Sequence, residues 1–170
     1  DYASGTLSNI VRWLAATKSA SNQDLFDEGP ALREFMEFFV KSYYYTEDFI
    51  RRPEHGHNAH KETGYIHNAI TALLVLMDEY STSEEAHWAS WWLNNIEGAD
   101  AYPGVDYRYF AEMDVIFSDH GIPQVTPSAE PLAYFAEGNG MWIARSNWTQ
   151  GATEPTTYAT FRAGNWTWFN

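Results

Sequence analysis

Apolar positions recur at helical spacing through the first two-thirds of the chain and change to a two-residue alternation near its end. Leu7, Ile10, Val11 and Leu14 mark a first helix, and the polar run SASNQ (19–23) ends it. Pro30 suits a first helical turn, after which Leu32, Phe35, Met36, Phe39 and Tyr43 form one face. Beyond the polar stretch RRPEHGHNAHKETG (51–64), Ile66, Ile70, Leu73, Leu74 and Met77 make the clearest apolar stripe in the chain. Thr82, with Glu85 three residues on, reads as a capping signal for a helix through Ala89, Trp92, Leu93 and Ile96. A shorter helix is expected over YRYFAEMDVIFSD (107–119).

The period then changes. IPQVTPSAEP (122–131) is a Pro-rich boundary, and LAYFAEGNGMWIARSNW (132–148) reads as two strands around a turn containing Asn139 and Gly140. TTYATFRAGNWTWF (156–169) reads as two more. The class is therefore α+β and multidomain: helical hairpins over 1–120, a linker at 121–131, and antiparallel strands over 132–170. No strand is expected before residue 100. A few strands with open edges are not a finished domain, so the sheet reads as the start of a larger one.

Composition narrows the function. The 170 residues are 45% apolar, enough to bury a core, and 17% aromatic, including eight Trp and eleven Tyr. Aromatic faces with polar tips suit sugar-binding clefts, and they suit cores and interfaces as well. A net charge of −13 argues against a nucleic-acid partner and requires any polyanionic substrate to meet a locally cationic cleft. The absence of cysteine excludes disulfides and thiolate metal sites. No apolar run reaches membrane-spanning length, so no membrane partner is expected. The chain opens at Asp1 without a signal peptide, which reads as a processed chain or a fragment.

Four of the six histidines fall in HGHNAHKETGYIHN (55–68). His57 and His60 are three apart, but Gly56 and Gly64 bracket them and no further ligand follows at a recognised spacing, so no metal or other cofactor is expected. A solvated polar loop is the plain alternative. Acid/base chemistry is the third reading. Tyr65 stands directly after Gly64, at the mouth of the strongest amphipathic helix and beside several imidazoles. A phenol has an ordinary pKa of about 10, and neighbouring positive charge is what makes its phenolate accessible.

These residues also carry a resemblance. EHGHNAHKETGYIHNAITALL (54–74) resembles the Gly-rich segment, acidic and then Gly-Tyr, that opens an inner helix in heparinase II/III-like polysaccharide lyases. FSDHGIP (117–123) with LAYFAEGNGMWIARSNW is similar to the crossover from toroid to sandwich in that family. The resemblance implies an incomplete (α/α) toroid followed by an antiparallel β-sandwich. It also implies β-elimination on an acidic, uronic-acid-containing polysaccharide of glycosaminoglycan or alginate type, in a secreted or periplasmic setting. Tyr65 matches the family's proton-transfer tyrosine. His60 joins it as a catalytic candidate, and His57, Glu62 and His67 are its neighbours in the substrate-binding set. Asn9, placed at the beginning of the first helix, matches a carboxylate neutraliser. The family's toroid has more helices before this point, and its sandwich carries a further His-containing segment, so the chain resembles the middle of a longer enzyme.

Two other classes remain open. Stacked α-hairpins also host glycoside hydrolases, for which Asp106, Glu112 and Asp114 are candidate carboxylates, or a solvated helix face. A non-catalytic glycan-binding module would use Trp88, Trp91, Trp92, Trp142 and Trp148 as platforms, where the alternative is a core role. Two NWT sequons, at Asn147 and Asn165, fall in or beside expected strands and read as structural.

Overall fold

The computed structural model describes residues 2–28, 31–42, 44–45, 50–51, 66–96, 121–148 and 156–162. Among them are four α-helices: α1 (Tyr2–Ser21), α2 (Ala31–Ser42), α3 (Ile66–Glu79) and α4 (Glu84–Ile96). The strands are β1 (Tyr44–Tyr45), β2 (Ile50–Arg51), β3 (Ala133–Ala136), β4 (Met141–Arg145) and β5 (Tyr158–Arg162). The expected helix over 107–119 and the second strand of 156–169 lie outside the described residues.

The helices form as their patterns require. α1 ends where Asn22 takes a left-handed conformation (φ 56°) and donates its N–H to the Lys18 carbonyl at 2.9 Å, a cap that asparagine tolerates. α4 starts one residue later than the expected cap. Ser83, not Thr82, accepts the Ala86 N–H on its hydroxyl at 3.1 Å, and its carbonyl accepts the His87 N–H. Only a side chain at the N-cap itself reaches the third amide of the helix. Glu85 turns instead to Arg33, at 3.0 Å. Burial alone would raise its pKa, but hydrogen bonds from its own N–H, Arg33 and Ser83 outweigh that and lower it.

Pairings between helices fix their directions. Arg33 meets Glu85 near the starts of α2 and α4, and Phe39 meets Trp92 edge-on at 4.7 Å further along both, so these two run the same way. Lys18, close to the end of α1, holds Glu79 at the end of α3 at 2.5 Å, while Val11 and Leu14 enter the same core as Leu73 and Leu76. α1 and α3 therefore also run together. The result is that α1 lies along α3 and α2 along α4, each pair running the same way, with α3 and α4 joined as an antiparallel hairpin.

α3 is the centre of this arrangement. Every residue from Ala69 to Met77 is buried, Thr71 included, which is what a helix apolar on all sides requires. Tyr80 closes the adjoining turn by donating to the Phe26 carbonyl at 2.9 Å, which joins the two short connections at one end of the bundle. The opposite end holds the last residue of α2, the first of α3 and the last of α4.

The sheet is antiparallel in the order β3-β4-β5. The expected turn at Asn139–Gly140 is present: a tight turn over Glu137–Asn139 hands the chain to Gly140 in the left-handed region (φ 58°), where a glycine carries no Cβ penalty. Ala136, Met141 and Ile143 face inward and pack with Phe38 of α2, Tyr134 and Tyr158. α2 thus serves both cores, sending Met36, Phe39 and Val40 into the helices and Phe38 to the sheet. Between the two, residues 121–131 run against α4: the Ser90 hydroxyl donates to the Ile122 carbonyl and the Val125 N–H to the His87 carbonyl, each at 3.2 Å.

One expectation is overturned. β1 and β2 pair antiparallel, Tyr44 with Arg51 and Tyr45 with Ile50, well before residue 100. Two residues per strand are too few to show a period, although Tyr and Ile favour extended backbone. Separately, the cap assignment makes a clear test. Ser83→Ala should cost about 1 kcal/mol in urea unfolding, whereas Thr82→Ala, at an exposed position, should stay within about 0.5 kcal/mol.

Candidate functional site

The sequence places its candidate chemistry on 55–68, and the structure describes what flanks that segment. His57, His60, Glu62 and Tyr65 lie outside the described residues, as do Asp106, Glu112, Asp114 and Asn165. His67 occupies the second position of α3, at the start of the central buried helix. Asn9 does not begin the first helix: α1 starts at Tyr2, so Asn9 sits two turns in, exposed. The polar residues before it, with Ser8 buried beside it, continue the helix rather than cap it.

Among the described residues, the densest assembly of charged and aromatic side chains joins the end of α2 to the sheet. Lys41 is 5% exposed. Its ammonium lies 2.7 Å from Glu37, one turn back on the same helix, and 3.0 Å from Glu130 at the end of the linker. It also sits over the rings of Trp88 at 5.2 Å and Tyr134 at 5.0 Å. A buried cation is tolerable only when it is paired and hydrogen-bonded, and Lys41 has both kinds of partner.

Arg145 is buried differently. It is 8% exposed and, among the described residues, no carboxylate comes within ion-pair distance of it. Its Nη2 donates to the Lys41 carbonyl at 2.5 Å. The guanidinium stacks 4.1 Å from the Trp148 ring and 5.6 Å from that of Tyr158. The Tyr158 hydroxyl donates to the next carbonyl, that of Ser42, also at 2.5 Å. The negative end of the α2 dipole takes the place of a counter-ion. Burial pulls the Arg145 pKa down to about 10, with Tyr158 acting in the opposite direction, so the side chain stays charged at neutral pH. The Trp148 indole N–H donates to the Glu130 carbonyl at 3.2 Å and closes the circuit.

This assembly ties the end of α2 to the linker and the sheet. Burial first, then Glu37 and Glu34, push the Tyr134 phenol up to about 12, away from the range of a neutral-pH base. No group of three or more His, Asp or Glu among the described residues could hold a metal ion. None of the described helices is long and apolar enough to cross a membrane.

The tryptophans divide. Trp88, Trp92 and Trp148 are buried and Trp91 is half-buried, which leaves Trp142 as the exposed one of the five candidate platforms. Asn147, in the first sequon, accepts the Thr156 hydroxyl at 2.7 Å beside the sheet. The assembly around Arg145 was missed by motif reasoning, yet it left a signal. On β4 the inward positions are Met141, Ile143 and Arg145, and a cation continuing an apolar two-residue period marks a buried polar contact.

Known proteins add no relative: no family model, curated protein or solved structure matches this chain.

The two cations of the junction should respond differently to loss of charge. Glu37 and Glu130 keep partial access to water, at 30% and 28% side-chain exposure, whereas Lys41 has almost none. Replacing both glutamates by Gln strands the ammonium and should cost about 3–5 kcal/mol. Lys41→Met leaves two carboxylates that can hydrate and should cost less. Urea unfolding of the two variants checks the order.

Proposed function

We propose that this chain is the tyrosine-bearing part of a polysaccharide lyase that cleaves uronic-acid-containing polysaccharides by β-elimination. The observation that carries this reading is one of placement. The end of α2 and the start of α3, which flank the histidine- and tyrosine-rich segment, lie at the same end of the bundle, where the antiparallel sheet docks through Lys41 and Ser42. A cleft built between a helical layer and a sheet would have this segment at its wall.

In this reading Tyr65 removes the proton from C5 of the uronate, protonates the leaving glycosidic oxygen, or does both. His60 assists it. His57, Glu62, His67 and Asn9 bind the substrate, and the histidines and Asn9 offset its carboxylate, which makes the C5 proton acidic enough to leave. The substrate is an acidic polysaccharide met in a secreted or periplasmic setting, and no cofactor is required.

The finer fold belongs to the same proposal. Paired hairpins whose like-placed helices run in one direction are the repeating unit of an (α/α) toroid. Ile10 and Trp13 on α1, 45% and 60% exposed, would suit a further helix packed beside it. The sheet's outer face supports the start of a β-sandwich. Its side chains fall in two rungs, Ala133–Ala144–Ala159 and Phe135–Trp142–Phe161, with no polar residue in either. The three aromatics are 57%, 40% and 63% exposed, and a second β-layer is the cover such a face calls for.

Two measurements on the full-length protein test this. Incubation with a panel of uronate polysaccharides should raise the ultraviolet absorbance of unsaturated chain ends. Tyr65→Phe should lower that rate by on the order of a hundredfold or more while binding survives. New reducing ends without the absorbance would identify a hydrolase, and near-full activity of Tyr65→Phe would overturn the assigned mechanism. For the sandwich, Trp142→Ala should cost about 3–5 kcal/mol if a second layer covers the ring. A change within about 0.5 kcal/mol would leave the face bare and the sandwich refuted.

A further inference from the structure

A Pro-rich stretch between a helical and a β region reads as a linker, and a linker is where two bodies turn on each other. The prolines of 121–131 make a stiff one. Pro123, Pro127 and Pro131 each fix φ, four residues apart, and favour an extended run over a pliant one. Hydrogen bonds then fasten this run to the helical layer along its length. Near its start the Ile122 carbonyl accepts the Ser90 hydroxyl, and further on the Val125 N–H donates to the His87 carbonyl. Near its end Glu130 is held twice, its carboxylate by Lys41 at 3.0 Å and its carbonyl by the Trp148 indole at 3.2 Å.

The two cores also exchange residues. Trp148, just past the end of β4, is buried in the helical core, and Ile122 packs against it. In return Phe38 of α2 packs with Ala136, Met141 and Ile143 on the inner face of the sheet. Among the described residues those three are the buried apolar core of the sheet. Three strands with so small a core need a helix to pack on. The helical layer, for its part, lacks a tryptophan of its core until the chain has passed through β4. We propose that 121–131 is a strut and not a hinge: the helices and the three-stranded sheet open only together, as one cooperative unit, so neither layer swings on the other. The proposal is independent of the lyase reading, since it rests on the contacts between the layers.

Native-state hydrogen exchange on the full-length protein tests this with one core truncation in each layer. Ile143→Ala acts on the sheet, where Ile143 is 1% exposed, and Leu73→Ala on α3, where Leu73 is fully buried. The slowest amides of a cooperative unit exchange only when the whole unit opens. Either variant should therefore quicken the slowest amides of β4 and of α3 by the same factor, on the order of thirtyfold or more. The Val125 amide should be protected in the wild type and quicken with them. Where a truncation prevents folding, Ile143→Val and Val75→Ala make the same comparison with smaller factors, roughly twofold to tenfold for Ile143→Val. Equal acceleration in both layers supports the strut. Acceleration confined to the layer that carries the substitution overturns it, and so does a wild-type Val125 amide that exchanges as fast as in an unfolded chain.

Discussion

The structure depends on how α2 ends. A helix terminus carries unpaired carbonyls and a partial negative charge, and here both are met by a guanidinium and a phenol from the sheet. That contact joins the packing of Phe38 against the sheet and of Trp148 in the helical core in holding the two layers together. Lys41 adds a second tie, from the same turn of α2 to Glu130 of the linker. A helix early in the chain thus meets the linker and the sheet that follows it around two buried cations set among Trp88, Tyr134, Trp148 and Tyr158. Burying charge this way is costly, and what it brings is a defined angle between two layers that apolar packing alone would leave freer to slide.

The second constraint is α3. A helix buried on every side from Ala69 to Met77 has no freedom to shift without opening the core. The first turn of α3 and the gripped end of α2 lie at one end of the bundle, while the short connections close the other, where Lys18 joins Asp24 to Glu79. This division of labour is common in catalytic folds: rigid elements supply position, and the residues that do chemistry sit on the connections between them. The proposed lyase chemistry asks for that arrangement, because a proton at C5 and a leaving oxygen must both be reached from one fixed phenol.

Most of the architecture was legible in the chain itself. Periodicity alone places α1, α2, α3 and α4, because each buries an apolar stripe and the spacing of that stripe is a local property. Asn22 and the Glu137–Gly140 turn were readable for the same reason, since left-handed backbone selects asparagine and glycine. The change to strands at Ala133 followed from the change of period. What was not legible locally was fine placement: the cap is Ser83 rather than Thr82, Asn9 lies inside α1, and a strand pair of two residues each is too short to show a period.

The sequence by itself determined the four described helices, the strands from Ala133 onward, and the class of chemistry worth proposing for Tyr65 and its histidines, since residue type and spacing are written along the chain. Only the tertiary structure decided which residues meet across it. Arg145 lies 104 residues from the carbonyl it holds and Tyr158 lies 116 from its own. No periodic signal extends over such a separation, because contacts at that distance are set by how layers pack and not by neighbours in sequence. The fate of the tryptophans was decided in the same way: Trp92 is buried and Trp142 exposed, though both stand in apolar patterns, because one face found α2 and the other faces outward from the sheet.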